Sequence, residues 1–75
     1  MNVYEIVFTY LNGCSGNAYP ITTFAEVELS NTDDYVQAKH GKDFPKFVKE
    51  VRPNGQVVYT FDNGTVTYIY EFTEV

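Results

Sequence analysis

Seventy-five residues, 44% hydrophobic and 20% charged, with ten acids against five bases, describe one small acidic domain. A chain this short buries only about 60% of the surface its unfolded form exposes, which excludes a large enclosed active-site cavity. Plentiful aromatic and β-branched residues exclude disorder, no run approaches the roughly 20 apolar residues of a membrane span, and a net charge of −5 argues against coating nucleic acid.

Residues 3–11 alternate as a strand, with Tyr4, Ile6, Phe8 and Tyr10 on one face and Val3, Glu5, Val7 and Thr9 on the other. No basic stretch precedes it, as a secretory signal would require, and the lone Cys14 fits a reducing compartment, so a cytoplasmic setting is expected. Asn12 to Pro20 reads as an irregular loop. A second strand over 21–29 turns Ile21, Ala25, Val27 and Leu29 inward and Thr22, Phe24, Glu26 and Glu28 outward. Phe24 thus falls on the polar face.

Ser30-Asn31-Thr32 offers a helix N-cap, and Asp33 and Asp34 follow in the first turn, where carboxylates meet the positive end of the helix dipole. Lys39 and His40 suit the other end, and Gly41 suits the position beyond it. Asp43 then reads as a second N-cap with Pro45 in the first turn. Phe44, Phe47, Val48 and Val51 recur at i, i+3, i+4 and i+7, which predicts a second helix ended by Pro53-Asn54-Gly55.

Residues 56–74 predict a β-hairpin turning on Asn63-Gly64, a pair that tolerates the positive φ angles of a type I′ turn. Counting from that turn sets Phe61 opposite Val66, Tyr59 opposite Tyr68 and Val57 opposite Tyr70. The expected architecture is α+β: a four-stranded antiparallel sheet in the order β-β-α-α-β-β, with one short or broken helical layer packed on one face. Ile21, Val48 and Val51 belong to the expected core, with Ile6, Val36, Phe47, Tyr59 and Phe72.

Reactive groups are sparse. Cys14 and His40 are the only candidate nucleophile and base, without the third group that a hydrolytic site needs, so an enzyme is the least favoured class. Four-ligand zinc and D-x-D-x-D-G calcium patterns are absent, as is a phosphate-binding glycine fingerprint, and no cofactor is expected.

Charge is segregated. All five bases lie between Lys39 and Arg52 with two acids, a net of +3, while the rest of the chain holds eight acids and no base, a net of −8. Lys42, Lys46, Lys49 and Arg52 would form a stripe on the second helix and could contact nucleic acid, the alternative binding mode. The acidic remainder points instead to a protein partner. The expected contact residues are Tyr10, Tyr19, Phe24, Glu26, Glu28, Tyr35, Tyr70 and Glu71, combining aromatic rings with strand-face carboxylates. Size and charge parallel those of small phage-encoded anti-defence proteins that occupy a basic groove of a nucleic-acid-handling machine, although no motif identifies such a family. A homodimer through the same aromatics or an open strand edge is a further expected contact.

Overall fold

The computed structural model describes residues 2–12 and 20–75. They form β1 (Asn2–Asn12), β2 (Ile21–Leu29), α1 (Thr32–His40), a 3-10 turn (Gly41–Lys46), β3 (Val48–Val51), β4 (Val57–Asp62) and β5 (Val66–Glu74). The fold is α+β, and all strands join one antiparallel sheet in the order β2-β1-β5-β4-β3. Among the described residues it has five strands and a single α-helix, where the sequence predicted four strands and two helices.

The first helix forms as expected. The Asn31 side chain accepts from the Asp33 backbone N–H at 2.8 Å, and the Gly41 N–H closes the far end on the Gln37 carbonyl with φ at 55°. α1 lies on the inner face of the sheet, where Val36 packs with Ile6, Tyr59, Tyr70 and Phe72. Ring contacts tie this core together: Tyr59 meets Phe72 edge-on at 5.5 Å, and Phe8 stacks on Tyr70 at 4.6 Å.

The predicted second helix does not form. Residues 41–46 make a 3-10 turn that contains Pro45, and residues 48–51 pair with β4 as an edge strand. A helix there would have held a proline and two β-branched valines in about ten residues, whereas β4 offers the segment a free row of backbone partners. Phe44 and Phe47 still reach the core from the turn. Val48 and Val51 do not: three residues apart on a strand, they point to opposite faces, and they are 68% and 64% exposed. Ile21, also expected inside, is 60% exposed because it lies at the end of an edge strand.

The closing hairpin keeps its predicted faces but slides by two residues. Tyr59 stands opposite Tyr70, Phe61 opposite Tyr68 and Val57 opposite Phe72. Gly64 has φ 86°, while no described non-glycine residue has a positive φ. The turn is therefore centred on Gly64-Thr65, the sign pattern of a type II′ turn. Asn63 contributes its side chain instead of an unusual backbone: its carbonyl accepts from the Thr65 and Val66 N–H groups, both at 2.8 Å. Moving the centre by one residue moves the register by two, an even slip that leaves every side chain on its own face.

Candidate functional site

Among the described residues, no helix covers the outer face of the sheet. On it, the pairing of β1 with β2 brings Glu5 together with Glu26 and Glu28, which lie much later in the chain. Glu5 stands directly opposite Glu26, and Val7 opposite Phe24; Glu28 follows two residues beyond Glu26 on the same face. All three acids are exposed, and none has an ion-pair partner among the described residues. Like charges directly opposed on antiparallel strands destabilise a sheet by roughly 0.2–1 kcal/mol. Phe24, 70% exposed, stands beside the pair and with Glu5, Ala25 and Glu26 borders a shallow hollow. Glu5 was expected on the acidic outer face with Glu26, Glu28 and Glu71, but not among the contact residues. Its alternation put it on the outer face, but its place opposite Glu26 depends on a β1–β2 register that no turn motif specifies.

Glu71 shares the outer face but not this corner. Its carboxylate lies 3.7 Å from Arg52, which also meets Glu50 at 3.3 Å. Glu50 and Glu71 flank Val58 on either side, and Val58 is buried there despite facing away from α1. The Asp62 carboxylate is likewise engaged, accepting from the Gly64 N–H at 2.8 Å.

The tyrosines mostly turn the other way. Tyr10 is half-buried on the inner face with its ring 5.4 Å from Tyr68. Tyr35 is half-buried on α1 and meets Tyr70 and Phe72 edge-on. Tyr70 was expected to be at least partly exposed; it is 4% exposed, because β5 is the central strand and the end of α1 covers it. Burial pushes its hydroxyl up to about 12. Tyr19 and Cys14 lie outside the described residues.

His40, the expected partner of Cys14, packs among aromatic rings. Its Nε2 is 2.7 Å from the Tyr70 hydroxyl, and its ring lies 4.8 Å from Phe47 and 4.9 Å from Tyr68. Burial holds its pKa below the ordinary histidine value, with the Asp43 carboxylate opposing that shift.

The basic residues are dispersed by the missing helix. Lys42 and Lys46 lie on the 3-10 turn, Lys49 faces inward from β3, and Arg52 lies beyond β3 on the outer side. Three of the four meet carboxylates: Lys46 with Asp43 at 3.7 Å, Lys49 with Asp33 at 3.1 Å, and Arg52 as above. Lys49 belongs to a network that pins the start of α1 to the sheet. The Thr32 hydroxyl donates to the Tyr59 oxygen at 2.8 Å, and the Tyr59 hydroxyl donates to Asp33. The Tyr59 bond, followed by Lys49, holds the Asp33 carboxyl below its usual range against the opposing effect of burial, while burial and the Asp33 bond push the Tyr59 hydroxyl up.

On the inner side, Tyr35 and Lys39 face Thr23 and Ala25 across a cleft of about 210 Å³ floored by Ile6, Phe8 and Tyr70. Among the described residues no three His, Cys, Asp or Glu side chains gather as a metal site, and no helix is long and apolar enough to cross a membrane. Comparisons with protein-family models, curated proteins and solved structures return no match.

Proposed function

We propose that the chain is a non-catalytic protein-interaction module that offers Glu5, Glu26, Glu28 and Phe24 to a basic surface of another protein. The observation that carries this reading is the unneutralised Glu5–Glu26 pair beside an exposed phenylalanine. Sheets place opposite charges or neutral pairs at such positions; two facing carboxylates cost stability in the free protein, and a cationic partner relieves that cost on binding. The aromatic ring supplies the desolvated anchor that charge alone does not.

In its sharpest form the partner is a nucleic-acid-handling machine whose phosphate-binding groove the acidic corner occupies, which would make the protein an inhibitor or accessory factor. The tagged chain, used to capture partners from its host, tests the reading. Capture is lost on Glu26→Lys with Glu28→Lys and survives Lys46→Glu with Lys49→Glu. The opposite pattern, with nucleic acid itself retained on the tagged chain and released by salt, refutes it in favour of binding through residues 42–52.

A further inference from the structure

The two edges of the sheet are built differently. β3 is four residues long, carries Lys49 and leads into Arg52, and short, basic edges resist pairing with another chain. β2 runs for nine residues without Lys, Arg or internal Pro, Pro20 standing just before its first residue. Ile21 and Phe24 on it are 60% and 70% exposed, and its far side has no neighbouring strand among the described residues. A long open edge of this kind is a template for another strand.

β2 is also complementary to itself. A two-fold axis that pairs two copies of one edge strand antiparallel stands perpendicular to the sheet. It keeps both helices on one side, so opposed residues must share a face. One allowed register overlaps all nine residues, with Ala25 opposite itself on the axis. On the inner face it sets Thr23 against Val27 and Ile21 against Leu29. On the outer face it sets Phe24 against Glu26 and Thr22 against Glu28. No carboxylate then opposes a carboxylate, and the exposed Ile21 covers the end of the partner strand. A shift of two residues one way puts Glu26 opposite itself; a shift the other way puts Phe24 opposite itself. Each shift leaves two residues of every strand unpaired.

We propose that the protein is a homodimer joined by antiparallel pairing of β2 with the same strand of a second copy, Ala25 lying on the two-fold axis. The product is a continuous ten-stranded sheet. Its outer face joins the two acidic corners, with the two Glu26 side chains as diagonal neighbours roughly 7–8 Å apart at their backbones. Dimerisation therefore tightens as salt screens that approach. The proposal does not rest on the partner reading, since it is read from mass alone.

Sedimentation equilibrium of the full chain, from low to high micromolar concentration, tests it. The expected mass rises to twice the 8.6 kDa of the single chain, and Glu26→Gln lowers the dissociation constant several-fold. Ala25 is exposed in the single chain, so Ala25→Lys and Ala25→Asp fold but each sediments as a monomer, while an equimolar mixture of the two restores the dimer. A wild-type chain that keeps the single-chain mass at every concentration overturns the proposal and leaves the edge to a strand of another protein. An Ala25→Lys variant that still dimerises, or a Glu26→Gln variant that dimerises no better, overturns it as well.

Discussion

His40, the last residue of α1, sets its Nε2 2.7 Å from the hydroxyl of Tyr70, thirty positions later on the central strand. The contact closes the layer between helix and sheet at the end opposite the Tyr59–Asp33 bond. α1 is thus held at both ends by a tyrosine hydroxyl from the sheet, with Val36 buried between them.

Stability should depend on pH through His40. Its folded pKa is depressed by burial, so its contribution is fully present above the unfolded value near 6.5 and is lost as pH falls through the folded value. Urea unfolding midpoints should fall between pH 7 and pH 5, and His40→Gln should flatten that slope. A slope in this window that persists in the variant would place the titration elsewhere.

At the alkaline end the sign reverses. The Tyr70 hydroxyl is pushed up to about 12 in the folded chain, so its stabilising effect is complete below the unfolded value of about 10 and declines as pH rises from there towards 12. Tyrosine ionisation followed by absorbance near 295 nm should show Tyr70 titrating late, with unfolding accompanying it. Tyr70→Phe should remove one of the two late-titrating tyrosines and leave Tyr59, whose hydroxyl is also pushed up.

Tyr59→Phe should cost about 1–3 kcal/mol, because it leaves the buried Thr32 hydroxyl without its acceptor and removes the donor to Asp33. Lys49→Met should cost under about 1 kcal/mol, since its bond to Asp33 lies at the surface with both side chains at least a third exposed. Chemical denaturation of both variants checks the ranking; equal losses would show that the ion pair holds the helix as firmly as the phenol does.

The hairpin register is open to direct observation. Nuclear Overhauser contacts should join Thr60 to Ile69 and Asp62 to Thr67, not Thr60 to Thr67. Gly64→Ala should cost about 1–2 kcal/mol from the positive φ alone, as no atom stands in the way of a Cβ there. A Gly64→Ala chain of unchanged stability would contradict the II′ turn.

Glu26→Gln should stabilise the monomer by about 0.2–1 kcal/mol through relief of the Glu5 contact, measured at concentrations too low for self-association. The gain should shrink at high salt. A variant less stable than the wild type would mean that the carboxylate has a partner in the free chain.

Four of the five strands among the described residues and the first helix could be read from the sequence because their signals are local. Alternation in residues 3–11 and 56–74 fixes which side chains share a face, and Asn31, Asp33 and Gly41 mark the helix ends by backbone chemistry within a few residues of each. The pattern at Phe44, Phe47, Val48 and Val51 misled because a turn followed by a short strand can mimic helical spacing, and only the open edge of β4 decides between them. The hairpin faces followed from alternation, while its register hung on which glycine-containing pair turns, a difference of one residue. The sequence alone determined the charge segregation, the faces and the capped helix. Strand order, the burial of Tyr70, the capture of Lys49 and Arg52 by carboxylates, and the meeting of Glu5 with Glu26 were decided by tertiary structure, because each depends on which distant strands lie side by side.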